Sequence, residues 1–221
     1  MRNTILIIIE MIVCYISLFY LSKKYKLFGV YIYGILNTIA ACIASLKSIS
    51  IMEVSIPIGY SLTTSLVITG NLITENYKKE DLKNYIAVIF LTGIISATFL
   101  NLSGLMTSSD FNYYANESYN NIFNYNIRIY VALIISIIMS IIISNKLYTL
   151  IRRSQNRVIA SNIFSIIIST FIETIIYVTI TYLFEFNIID IVLCIIFRYI
   201  IKIIIGIIGT IPLCMIKKYN E

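Results

Sequence analysis

The chain has 221 residues, of which 59% are hydrophobic and 13% charged, with a formal net charge of +6 and a mean hydropathy of +0.89. A water-soluble domain of this length carries more charge to cover its surface, so a soluble fold is excluded. There is no histidine, and the four cysteines (Cys14, Cys42, Cys194 and Cys214) lack paired spacing, which argues against zinc, haem and a disulfide framework; no cofactor is expected.

Apolar runs of about 20 residues, the length that crosses a hydrocarbon core of about 30 Å, recur along the chain. In lipid such runs are helical, because the backbone can bond only to itself. The expected fold is therefore all-α: a polytopic membrane helical bundle of about seven spans (six to seven), forming one domain over residues 1–221. The predicted spans cover residues 4–22, 28–46, 56–74, 84–103, 129–146, 158–184 and 188–216. The first lacks a small-residue cleavage site and its basic cluster follows it, so it reads as a retained helix and not as a signal peptide.

The loops assign an orientation. Lys23, Lys24 and Lys26 follow the first span, Lys78, Lys79 and Lys83 the third, Lys146, Arg152, Arg153 and Arg157 the fifth, and Lys217 and Lys218 the seventh. The alternate loops hold only Lys47 and Arg128. By the positive-inside rule the expected topology is N-out and C-in. The same distribution explains the net charge without a nucleic-acid partner. The longest outer connection, residues 106–127, reads as solvated chain in preference to a lid. Its Asn116-Glu117-Ser118 sequon is treated as chance in a chain so rich in Asn and Tyr.

Ionisable residues within spans cost about 2.5–3.5 kcal/mol each on insertion scales, so they turn inward. Glu10, Glu173, Arg198 and Lys202 lie within spans, while Glu75 and Lys47 lie near span ends. The sixth and seventh spans are joined by a short loop and run antiparallel, which predicts that Glu173 and Lys202 meet near mid-depth. Arg198 and Lys202 are four apart and share a face. Ser165, Ser169 and Glu173 form a stripe with Asn162 beside it, flanked by Thr170 and Tyr177. Two readings stand: an ion pair that fixes register, or groups that line a solute cavity. A carboxylate suits a planar donor fork such as a guanine-like base presents, although other small polar molecules also fit. Gly206 and Gly209 read as packing residues.

Three stretches carry a family resemblance. Residues 67–77 end in Asn71, Glu75 and Tyr77, where the family pattern has Asp, Glu and Tyr. Residues 165–180 place Ser169, Thr170 and Glu173 where it has Ser, Gln and Asp. Tyr199, Lys202 and Pro212 match a Tyr-x-x-Lys motif and a later proline. In these stretches the chain resembles the queuosine precursor transporters, also called vitamin-uptake-like transporters, over most of its length. The resemblance implies a bacterial inner-membrane importer of a 7-deazaguanine-type base such as preQ0 or preQ1, salvaged for tRNA modification. The substrate-binding residues then expected are Glu173, Lys202, Asn71, Thr170, Tyr177, Phe171, Ser169, Arg198 and Glu75, in a cavity between the third, sixth and seventh spans. Asn71 for Asp and Thr170 for Gln depart from the pattern.

An alternative is the substrate-binding membrane subunit of an energy-coupling-factor-type importer for a vitamin or nucleobase, because no Gly-rich loop ending in Lys-Ser/Thr is present for ATP. A homo-oligomer is compatible with either reading. Nothing in the chain supplies a nucleophile with a base, so no enzyme activity is expected.

Overall fold

The computed structural model describes residues 2–51, 54–106, 117–119, 127–155, 157–183 and 185–220. It is a bundle of long helices, α1 (Arg2–Ala44), α2 (Tyr60–Asn76), α3 (Lys79–Leu105), α4 (Ile127–Gln155), α5 (Val158–Tyr182) and α6 (Ile188–Asn220), with one hairpin, β1 (Ser48–Ile51) and β2 (Val54–Pro57), before α2. Five helices are long and apolar enough to cross a bilayer: Asn3–Ala44, Lys79–Leu105, Ile127–Ser154, Val158–Tyr182 and Ile188–Ile216. Their outer faces are apolar, as contact with lipid tails requires; Phe28, Phe99, Ile127 and Ile188 are all well exposed.

α1 is two limbs, residues 2–25 and 27–44. Lys26, at φ 51° and ψ −133°, breaks the helical dihedrals in a region where a side chain is strained. The chain folds back there. A methyl group built on Gly29 would overlap the carbonyl oxygen of Leu21, whereas a straight helix separates residues eight apart by about 12 Å. The turn falls among Lys23, Lys24 and Lys26, all exposed, where the charge pattern predicts a loop. Lys26→Gly should relieve the strain and raise stability by about 1 kcal/mol, read as a higher melting temperature in detergent.

The hairpin was not anticipated: the third predicted span begins at residue 56, inside β2. β1 and β2 pair antiparallel with Ser48 opposite Pro57 and Ile51 opposite Val54. The sequence does alternate there, Ser-Ile-Ser-Ile and then Val-Ser-Ile-Pro, which is the period of a strand. Pro57 ends the second strand, where a missing N–H costs nothing. β2 lies against α6. The hairpin leads into Gly59, at φ 93°, which starts α2.

α2 is 17 residues long and almost wholly interior, with every residue from Tyr60 to Ile73 buried except Leu62. It packs between α1, α4 and α6. Only a helix shielded by others can carry Ser61, Thr63, Thr64, Ser65, Thr69 and Asn71 through a membrane protein. α5 shows the same inversion. Its buried face runs Ser161, Asn162, Ser165, Ser169, Thr170, Glu173, Thr174, Tyr177 and Thr181, at the spacing of one helix face. α4 packs extensively on α5, and its Ser136, Ser140 and Ser144 are all fully buried; small side chains of this kind let helices approach closely. Gly206 of α6 lets Ile166 approach to 2.5 Å of where a Cβ would stand, so its packing role is observed. α3 covers one side of the bundle, against α1 and α4. Asp81 caps its start by accepting from the Lys78 backbone N–H at 2.9 Å.

Of the outer connection, residues 107–116 and 120–126, and with them Asn116 of the sequon, lie outside the described residues. Within the described part, the Tyr119 hydroxyl lies 2.6 Å from Ser103 Oγ at the end of α3.

Candidate functional site

The inward faces of α5 and α6 bring Glu173, Arg198 and Lys202 together, and the start of α2 adds Tyr60. Glu173 Oε2 accepts from Lys202 Nζ, and Arg198 Nη2 donates to Glu173 Oε1 at 3.3 Å. Exposure is 2% for Glu173, 2% for Arg198 and 0% for Lys202. The predicted meeting of Glu173 with Lys202 is thus observed, and Arg198 joins it from one turn away on the same helix. Two aromatic faces enclose the guanidinium. Its Cζ lies 3.8 Å from the Tyr177 ring centroid and 5.0 Å from that of Tyr60, while Lys202 Nζ lies 5.9 Å from the Tyr60 ring. Each such contact helps a desolvated cation by about 0.5–2 kcal/mol.

Taking these charges out of water costs several kcal/mol per ion, and one carboxylate compensates for two cations. Some groups able to donate have no partner among the described residues: Arg198 Nε and the hydroxyls of Tyr60 and Tyr177, whose rings flank it, and, on the first turns of α2, Ser61 Oγ and Thr64 Oγ1. Buried polar atoms are ordinarily satisfied. A cluster of orphans beside a charged triad is therefore a place for a polar solute or for water.

The other expected residues divide. Ser169 and Thr170 lie on the buried face below Glu173, but their hydroxyls bond the Ile166 carbonyl, at 3.3 Å and 2.7 Å, within α5. Phe171 lies on the opposite face of α5, 44% exposed, with its ring edge-on to Tyr199 at 5.1 Å. Two residues from Glu173 on a helix is about 200° of rotation, so the two side chains diverge.

Asn71 belongs to a second polar cluster. Its Nδ2 donates to Asn162 Oδ1 at 2.8 Å and to Ser165 Oγ at 3.1 Å, and its Oδ1 accepts from Ser144 at 3.1 Å. Asn162 Nδ2 in turn donates to Thr210 at 2.9 Å. Asn162 is eleven residues before Glu173 on one helix, so this network lies about 16 Å along the axis from the charged triad. It ties α2, α4, α5 and α6 together with all of its amide groups engaged. Asn71→Leu would orphan the groups that face it and should cost about 1–3 kcal/mol, measured as a fall in melting temperature with the oligomeric profile unchanged.

Glu75 is further still, at the end of α2. Arg152 grips it, Nη2 to Oε1 at 3.0 Å and Nε to Oε2 at 3.1 Å, and the Tyr148 hydroxyl donates to Oε2 at 2.7 Å. This bidentate clamp joins α2 to α4. At the opposite end of α4, Arg128 pairs with Glu185 at 3.1 Å and donates to the carbonyls of Ile180 and Leu183.

Tyr60 was missed from the sequence. It is one of 18 tyrosines and sits at a helix start whose boundary was misplaced into the hairpin. Glu10, the remaining acid well inside a predicted span and away from its ends, is on the first limb of α1, half-buried, with one carboxylate oxygen lacking a partner among the described residues.

The family model described as "Putative vitamin uptake transporter" matches residues 57–216, from the end of β2 through α6. No curated protein and no solved structure matches the chain.

Proposed function

The chain belongs to the vitamin uptake transporter family, and on that premise we propose that it imports a flat, polar base of the 7-deazaguanine type, a precursor of queuosine, across a bacterial inner membrane. The observation that carries this reading is the buried triad of Glu173, Arg198 and Lys202, with unpartnered donors beside it. A structural ion pair needs one cation per carboxylate, and it does not need orphaned hydroxyls. The base would enter between α2, α5 and α6. Each Glu173 oxygen keeps lone-pair capacity beyond its present bond, enough to accept a ring N–H and an exocyclic amino group. The cations then serve the ring carbonyl, and Tyr60 offers an aromatic edge or face.

The membrane arrangement belongs to the same proposal. Counting the two limbs of α1 separately gives seven crossings, with N-out and C-in from the loop charges. The Glu75–Arg152 clamp then lies at the cytoplasmic end and the Arg128–Glu185 contact at the outer end. Tyr60 is about 24 Å from the cytoplasmic end of α2, so the triad lies in the outer half, below the hairpin.

The test is rescue of tRNA queuosine in a bacterium lacking both precursor synthesis and its own importer, supplied with scarce preQ0. The wild-type chain expressed alone should restore the modification, and Lys202→Met should not. Failure of well-expressed wild-type protein would overturn the substrate assignment, or the claim that the chain works without ATPase subunits.

A further inference from the structure

The charged triad differs from an ion pair in its sum: two buried cations face one buried carboxylate. Both Glu173 oxygens are bonded to those cations, whereas the groups left without partners among the described residues are hydrogen-bond donors, or hydroxyls able to donate. Those placed at the triad are Arg198 Nε and the hydroxyls of Tyr60 and Tyr177, the two rings that flank the guanidinium. Ser61 Oγ and Thr64 Oγ1 on the first turns of α2, and Thr181 Oγ1 one turn beyond Tyr177 on α5, are also without partners among the described residues. Arg198 is held by Glu173 on one side and by the rings of Tyr177 and Tyr60 on the others, so its guanidinium plane is fixed while one N–H stays free. A guanidinium cannot lose its charge to relieve burial. Among the described residues no second acid contacts the pair of cations.

We propose that Arg198 receives an acceptor group of the solute, and that the surplus positive charge at this site selects neutral or anionic solutes and turns away cationic ones. The carboxylate holds the two cations in place and adds contacts to solute N–H groups. The solute supplies the missing acceptor: a ring carbonyl, a nitrile or a carboxylate lying against Arg198 Nε and the Tyr60 hydroxyl. A protonated amine in the same position would meet a net charge of its own sign. Across about 6 Å in a partly screened interior, that repulsion weakens binding on the order of tenfold to a hundredfold.

This inference rests on the reading of the chain as an importer of a deazaguanine-type base, and the test separates the two. Purified full-length protein in liposomes would be offered three bases that share one ring system and differ in the charge of one substituent. These are 7-cyano-7-deazaguanine (neutral), 7-carboxy-7-deazaguanine (anionic) and 7-aminomethyl-7-deazaguanine (cationic near pH 7). The half-saturating concentration should be lowest for the neutral and anionic bases and roughly tenfold or more higher for the cationic one. Arg198→Gln, which leaves a neutral Glu173–Lys202 pair, should bring the three values together. Arg198→Lys, which keeps the charge, should preserve the order. Equal affinity for all three in wild type, or a preference for the cationic base, would overturn charge selection while leaving the importer reading intact. An unchanged order in Arg198→Gln would remove Arg198 from the role. If folded wild-type protein takes up none of the three, the importer reading falls and this inference falls with it.

Discussion

Glu173→Gln should abolish uptake and destabilise the protein by about 3–5 kcal/mol, because it leaves two adjacent buried cations without their counter-charge. The wild-type carboxylate is 2% exposed and bonds Arg198 and Lys202 through separate oxygens. Glutamine keeps the shape, loses the charge and offers one acceptor where two are in use. Lowered expression or melting temperature should therefore accompany the loss of transport, which makes the single variant ambiguous. The triple variant Glu173→Leu, Arg198→Met, Lys202→Met resolves it. Removing a whole buried ionic group is often neutral or stabilising, so this protein should fold and melt near wild type yet carry no base. A triple variant that folds and still rescues queuosine would make the triad purely structural.

The second large effect is expected at Gly29. A Cβ there meets the Leu21 carbonyl oxygen and carbon, which are backbone atoms and cannot rotate away. Gly29→Ala should force the two limbs of α1 apart. The second limb packs on α2 and α3, with Asn37 Nδ2 donating to Ser65 Oγ at 2.9 Å and the Tyr31 hydroxyl donating to the Asp81 carbonyl at 3.0 Å. Displacement would break these contacts and open the interior that α2 occupies. Folded yield from the membrane should fall severalfold, a loss of about 1–3 kcal/mol typical of overpacking against a rigid neighbour. Gly34→Ala is the control. Its nearest neighbours are side-chain atoms, the Tyr85 ring at 2.6 Å and the end of Ile89 at 2.9 Å, which can shift without moving a helix backbone, so its loss should be smaller. Equal yields for the two variants would show that the reversal at Lys26 tolerates a wider turn.

Much of this protein is legible in one dimension because a membrane leaves few choices. Runs of isoleucine at bilayer length must be helices. Charges among them must face inward, so Glu173, Arg198 and Lys202 declared themselves by being costly anywhere else. A short loop made α5 and α6 antiparallel neighbours, and positions near the middle of each predicted span placed Glu173 against Lys202. The break between the limbs of α1 was visible as a lysine cluster between apolar runs. Periodicity also exposed the polar stripe of α5: Asn162, Ser165, Ser169, Thr170, Glu173 and Tyr177 all prove buried.

What the sequence could not decide was which helices stand beside which across the bundle, since uniform apolar outer faces carry no address. Asn71, Glu173 and Lys202 were expected to share one site. The packing of α2 between α4 and α6 instead places Asn71 on Asn162 and Ser144, and Glu75 on Arg152 and Tyr148. It also carries Tyr60, an unremarked aromatic after a hairpin, to the guanidinium of Arg198. Local chemistry thus determined the helices and the burial of their charges. Only the tertiary arrangement decided which of those polar groups satisfy one another and which are left open, because that depends on contacts between segments distant in the chain.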